Sequence, residues 1–336
     1  MHRRGRAVSM LRLATLLASA AFVAFLAGCT GGDDGDVSAD STAVEPTPPI
    51  EIVVNDWTAS ALNAAIADQL IERHLGYPVD RIRIDNSTEV YDGLADGSLD
   101  VILEIWPSDM TDRDRRYFER GEVTNLGPLG PIGKIGWFVP RYVAEQNPEL
   151  SSWQGLQDPE VAGLFETGET QPEGRLLGTN PDYLQFDEAI IENLGLPLTV
   201  EFSGSEAATL AELEARTRAG DPVLVYWWTP TAAVAAFDLV NVPLPEPTEA
   251  CLAEADAGGS GVDCDYPEDE LFKAASPALV SEAPEVEAFL RAFTLTTEEQ
   301  SAMLAAIEVD GGSIESVASE WIGANEATWR PWLGEG

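Results

Sequence analysis

Apolar residues gather along this chain in short, nearly unbroken runs separated by segments of helical spacing, the pattern of strands buried on both faces with helices packed against them. The run IEIVV predicts a strand over 50 to 55, after which Leu62, Ile66 and Leu70 recur at helical spacing until Gly76 ends the helix. A strand over 79 to 84, a short helix around Val90 to Asp96 and a strand over 100 to 105 follow. Right-handed crossover folds that β-α-β-α-β order into a parallel sheet. A second block, from about residue 138 to 231, holds turn signals at Asn147-Pro148 and Asp158-Pro159. It predicts strands over 175 to 179, 198 to 202 and 222 to 228, with helices over 185 to 195 and 206 to 219. The chain returns through a strand over 238 to 243, a loop bracketed by two cysteines, and helices near 283 to 293, 297 to 307 and 313 to 325. Two β/α blocks and a helical return predict two lobes, residues 50–137 with 232–336 and residues 138–231, crossed by the chain more than once around a cleft.

Three of the predicted strands end in tryptophan: IEIVVNDW at Trp57, DVILEIW at Trp106 and PVLVYWW at Trp228. Ligands of open α/β sheets sit beyond the carboxyl ends of strands, so three indoles delivered there from distant parts of the sequence are candidates to line one crevice. Indole faces recognise a cation that cannot be hydrogen-bonded, above all a quaternary ammonium. The competing reading of each Trp is core packing at a strand end. Successive strand side chains face opposite ways, so Trp228 is taken for the crevice and its neighbour Trp227 for packing.

The N-terminus changes the picture of where this happens. Arg3, Arg4, Arg6 and Arg12 precede an apolar run from Leu13 to Leu26, a signal peptide over residues 1–28, and Leu26-Ala27-Gly28-Cys29 looks like a bacterial lipobox. Lipidation at Cys29 would anchor the protein outside the cell membrane, with residues 29–49, rich in Gly, Asp, Ser, Thr and Pro, as a flexible tether. Cys251 and Cys264 then remain as an even pair in an oxidising compartment and predict a disulfide across a Gly- and acid-rich insertion. Two thiols with no nearby histidine make a poor metal set, and neither metal nor cofactor is expected. The formal charge is −39, and −43 once the four signal-peptide arginines are gone. Such a surface excludes nucleic acid as a partner.

With these features in hand, the chain resembles the substrate-binding proteins of glycine betaine/choline ABC transporters over about residues 50 to 332. The resemblance rests on ADGSLDVILEIWPS (95 to 108), GKIGWFVPRYVAEQNPEL (133 to 150), PVLVYWWTPTAAVAAFDLVNVPL (222 to 244) and KAASPALVSEAPEVEAFLRAF (273 to 293), in that order. It implies an α/β, bilobal periplasmic-binding-protein-like fold (type II) that closes on a quaternary amine in an aromatic cage, with the transporter's permease subunits as partners. It implies ligand contacts from Trp57, Trp106 and Trp228, and from the loop Thr179-Asn180-Pro181-Asp182-Tyr183, where Tyr183 makes a fourth wall and Asp182 lies near the cation or serves only as a turn residue. Trp137, at the proposed crossover, either edges the site or packs the hinge. Some choline binders carry an acidic residue two positions after the first cage Trp, where this chain has Ala59. That difference favours a betaine, whose carboxylate would be met by backbone N–H groups of Thr58, Ala59 and Ser60 at a helix start.

An enzyme is the first rival. The chain's only histidines are His2 and His74, and its cysteines are otherwise engaged, so no Ser-His or Cys-His nucleophile can be assembled. A ligand-sensing or glycan-binding lipoprotein on the same scaffold is the second, since sugars also stack on Trp.

Overall fold

The computed structural model describes residues 47–84 and 87–334. The predicted signal peptide, Cys29 and nearly all of the tether lie outside the described residues.

The first predicted block forms as read. Strand β1 (Ile50–Val54) leads into helix α1 (Thr58–Leu70), which continues as a wider turn, Ile71–Leu75, and closes on Gly76 at φ 77°. Strand β2 (Val79–Arg83), helix α2 (Thr88–Asp96) and strand β3 (Val101–Ile105) follow, with β1 parallel to both β2 and β3. All five residues of β3 are buried, which is why this strand reads as an unbroken apolar run apart from Glu104. Most of α1 is buried as well, and its small alanines let it lie close on the sheet.

Two strands escape the sequence pattern, and both are central. Strand β4 (Thr124–Pro140) is 17 residues long, and strand β9 (Glu268–Ala275) pairs antiparallel with β3 on one side and β4 on the other. The glycines and prolines of TNLGPLGPIGKIGWFVP signal a loop, yet here they mark register shifts in the β4–β9 ladder, with Gly127 and Gly130 at φ 92° and 117°. In β9 the charged residues Glu268, Asp269, Glu270 and Lys273 hide the apolar alternation. Lys273 is fully buried and gives its protons to main-chain carbonyls of Pro128, Arg291 and Phe293. Helix α3 (Asp112–Glu119) was also unread, although Thr111 and Asp114 form a reciprocal capping box at its start.

Beyond β4 come β5 (Gly174–Gly178), β6 (Leu198–Phe202), β7 (Leu224–Thr229) and β8 (Leu239–Asn241). Helices Asp187–Leu194 and Glu206–Ala219 lie between β5, β6 and β7 in the chain, and β5 is parallel to both β6 and β7. The whole is one sheet in the order β2-β1-β3-β9-β4-β7-β5-β6, with β8 added to the end of β4. Two parallel β/α units are thus joined by an antiparallel seam. The insertion from Cys251 to Cys264, expected as a floppy loop, instead carries most of the helix Glu249–Asp256, capped by Thr248. Cys251 and Cys264 are joined as a disulfide, Cα–Cα 6.3 Å, and both are buried. Closing a loop of this length stabilises a fold by ~3 kcal/mol. Cys251→Ser combined with Cys264→Ser should lower the unfolding free energy by about that amount in denaturant titrations, with a somewhat steeper slope because the unfolded chain freed of the cross-link exposes more surface.

Candidate functional site

The carboxyl ends of β1, β3 and β7 converge, and with them their indoles. Trp57, Trp106, Tyr183 and Trp228 line one recess of about 380 Å³, together with Asp109, Ile135, Leu184 and Tyr226. Tyr183 stands edge-on to two of the indoles, with ring centroids 5.8 Å from Trp57 and 5.7 Å from Trp228 and interplanar angles of 89° and 83°. The rings therefore meet as walls at right angles instead of stacking shut.

Each wall is fixed from behind. The Nε1 groups of Trp57 and Trp106 both donate to Glu104 Oε1, at 2.8 and 3.1 Å, and Asn63 Nδ2 donates to its Oε2 at 2.7 Å. Trp106 lies flat on β4 at Gly133, where a Cβ would stand 2.3 Å from the ring, so only glycine leaves room for the indole in this pose. Ile135 and Trp228 are directly paired across β4 and β7. Tyr226, two residues earlier on β7, shares the face of Trp228, and its hydroxyl donates to the Leu184 carbonyl at 2.8 Å. Asn180 ties the Tyr183 loop to the end of β1 by donating to Asp56 Oδ2 at 2.8 Å.

The other residues singled out in the sequence lie elsewhere. Trp227 is fully buried, donates to Thr231 Oγ1 at 2.7 Å and stacks on Trp228 with centroids 4.4 Å apart. Its ring packs against that of Trp228 although both residues stand in the regular β4–β7 ladder. Trp137 is also fully buried and donates to Asp187 Oδ1 at 2.6 Å, so it packs the scaffold and does not edge the recess. Asp182 is exposed in the turn, where its N–H donates to Asn180 Oδ1. Thr58 and Ala59 do not line the recess either. The expected anion site at the start of α1 is filled by the protein itself, since the Thr58 N–H and hydroxyl both donate to Glu206 Oε2, at 2.9 and 3.2 Å. A ligand carboxylate placed there would meet that carboxyl group.

Sequence reasoning missed Asp109, Ile135, Leu184, Tyr226 and the supporting Glu104. Tyr226 was legible from its i, i−2 relation to Trp228, and Glu104 from an acidic residue inside an apolar strand. Burial pushes the Glu104 carboxyl up to about 7 against the pull of Trp106, Trp57 and Asn63. Burial, with Asp114 and Asp269 nearby, lifts Asp109 to about 8. Glu206 is lifted to about 7 and Glu308 to about 8, each mainly by burial and each raised further by neighbouring acids. Among the described residues, the recess is an apolar, aromatic chamber whose one ionisable carboxyl is that of Asp109. It is suited to a cation without hydrogen-bond donors.

Residues 48–324 match the family described as the substrate binding domain of ABC-type glycine betaine transport systems. The chain belongs to that family. Among curated relatives it is 27% identical to the trimethylamine N-oxide-binding protein of Pelagibacter ubique over 296 residues, 87% of this chain and 92% of that one. It is 22% identical to the glycine betaine/proline betaine-binding periplasmic protein of Escherichia coli over 305 residues, 85% and 88% of the two chains. Among solved structures, lactococcal OpuAC, closed on glycine betaine, superposes with a TM-score of 0.63 at 19% identity, covering 85% of this chain and 99% of the other. An ABC-transporter choline-binding protein in complex with choline gives 0.64 at 19%, covering 85% and 91%. The fold is that of bilobal type II periplasmic binding proteins. Family members are substrate-binding receptors of ABC transporters and not enzymes. Among the described residues no helix is long and apolar enough to cross a membrane, and no group of acidic, His or Cys side chains is placed to hold a metal.

The raised carboxyls give the fold a pH dependence of definite sign. A carboxyl whose folded value lies above its ordinary one stabilises the fold fully below the ordinary value and loses that contribution as pH rises through the folded one. For Glu104, Glu206 and Glu308 the window runs from 4.5 to about 7 or 8. Thermal melts should therefore show a higher Tm at pH 5 than at pH 8.5. Glu308→Gln should flatten this profile, losing roughly 4 kcal/mol less than the wild type across the window.

Proposed function

We propose that this protein is the extracytoplasmic substrate-binding lipoprotein of an ABC importer and captures a trimethylammonium compound in the recess between Trp57, Trp106, Tyr183 and Trp228. Glycine betaine is the first choice of ligand, with choline, carnitine and proline betaine as alternatives. The observation that carries this reading is the recess lined by Trp57, Trp106, Tyr183 and Trp228, in which Tyr183 stands at right angles to Trp57 and Trp228 with centroids near 6 Å and an acid lies beside them. Each cation–π contact is worth ~0.5 to 2 kcal/mol, so three or four supply several. A micromolar ligand requires about 8 kcal/mol net, which makes lobe closure and exclusion of water part of the reading. The lobes would divide as residues 50–137 with 232–336 against residues 138–231, with the adjustment that β8 lies on the β4 end next to β7. Asp182, Thr58 and Ala59 would approach a ligand only on such closure, and Trp137 only through its packing.

A second reading, trimethylamine N-oxide, draws on the Pelagibacter ubique relative and on the lining itself. Among the described residues no lysine or arginine lines the recess to meet a carboxylate, and an N-oxide presents the same trimethyl end with a smaller polar group. A glycan-binding role is disfavoured by the right angles Tyr183 makes with Trp57 and Trp228, which leave no broad platform for a sugar face, and a purely sensing role by the match to an ABC-transport family.

Calorimetry on the 30–336 fragment with glycine betaine, choline, carnitine, proline betaine, trimethylamine N-oxide and a neutral sugar decides among these. Trp57→Ala, Trp106→Ala or Trp228→Ala should each cost ~1 to 3 kcal/mol, roughly ten- to a hundredfold in affinity, whereas Trp321→Phe should leave affinity unchanged. Wild-type affinity in both Trp57→Ala and Trp106→Ala for every amine tried would return the indoles to the core. Cys29→Ala should release the protein from the membrane fraction without altering affinity, and continued membrane retention would count against the anchor.

A further inference from the structure

Glu104 is buried behind the recess, where the carboxylate accepts hydrogen bonds from Trp57, Trp106 and Asn63. The groups that act on it are those three donors and its own burial, with no basic partner. A buried carboxylate without a counter-ion costs several kcal/mol unless something compensates it. Here two of its three donors are indoles whose other faces look into the recess. An N–H donated to an anion leaves the ring richer in electrons, and a richer ring holds a cation more strongly.

We propose that Glu104 is a positioning residue that sets cation specificity: it locks Trp57 and Trp106 in place and supplies, through their rings, the negative charge for which the ligand's ammonium is the counter-ion. This rests on the reading of the recess as a trimethylammonium site. A neutral ligand of the same shape fills the cage but leaves the carboxylate uncompensated, so shape alone does not give affinity. The other ionisable groups around Glu104 are Tyr91 and Asp109, which line the small space behind the indoles with it, and Glu206, which faces it from the helix Glu206–Ala219. All are acidic or phenolic, so none takes the ligand's part.

Glu104→Gln is nearly isosteric and removes only the charge. Its Oε1 keeps both indole N–H groups, and the amide is accommodated if Asn63 and Gln300 rotate, because Gln300 Nε2 donates to Asn63 Oδ1 while Gln300 Oε1 has no partner of its own. The test compares glycine betaine with 3,3-dimethylbutanoate, in which carbon replaces the ammonium nitrogen, and runs tetramethylammonium in parallel. Glu104→Gln should bind glycine betaine and tetramethylammonium roughly tenfold more weakly while 3,3-dimethylbutanoate binds as before or more tightly. If the variant does not fold, Asp109→Asn serves, since it removes the other acid at the recess. Its affinity for tetramethylammonium should rise between pH 5.5 and 8.5, and a flat profile there overturns the proposal. Equal loss for cation and carbon isostere, or no loss for either, also overturns it. Wild-type protein that bound neither glycine betaine nor tetramethylammonium would remove the ligand reading and this proposal with it, whereas cation binding indifferent to Glu104 removes this proposal alone.

Discussion

The antiparallel seam between β9 and β4 is the constraint on which the rest of the architecture depends. The parallel strands β2, β1 and β3 form one unit and β7, β5 and β6 another, and the sheet is continuous only because β9 and β4 lie between them. The seam also builds the recess: Gly133 on β4 receives the Trp106 ring, and Ile135, two residues on, pairs with Trp228. A single strand thus sets the distance between indoles that originate more than a hundred residues apart. Burying Lys273 within the seam is tolerable because three carbonyls accept its protons and burial brings its amine down to about 8, close to neutral pH.

What could be read from the sequence follows from how strands are buried. Strands covered on both faces, such as β1, β3 and β7, must be apolar throughout, so they stand out as runs and their terminal tryptophans stand out with them. The seam strands carry a different signal. β4 is broken by the glycines and prolines that its register shifts and close approaches require, and β9 by charges whose partners come from distant segments, such as Asp269 accepting from Ser108. Nothing local distinguishes these from a loop. The same holds for the site. The indoles were legible because they end apolar runs, whereas Asp109 and Leu184 come from short segments after β3 and β5 that carry no apolar run of their own. The start of α1 was misread for a related reason. A helix N-terminus favours an anion, but the sequence cannot say that Glu206, 148 residues on, already supplies one.

The chain's large negative charge and the few buried acids near the recess act over different ranges. Surface carboxylates lie in water, where at 1 M salt the Debye length is ~3 Å, so in a saline medium their field does not reach a ligand at any useful distance. Glu104 and Asp109 are removed from that screening, and interactions of a charge in the interior are several times stronger than in water. Cation selectivity in such a site is therefore a local property and should survive high ionic strength. It also brings a cost in stability, because each of these carboxyls is raised by burial and destabilises the empty fold when it ionises. A bound cation offsets that cost by favouring the ionised form. On the proposed reading, ligand binding and proton release are coupled by these same buried acids, because a cation in the recess favours their ionised form and their ionised form favours the cation.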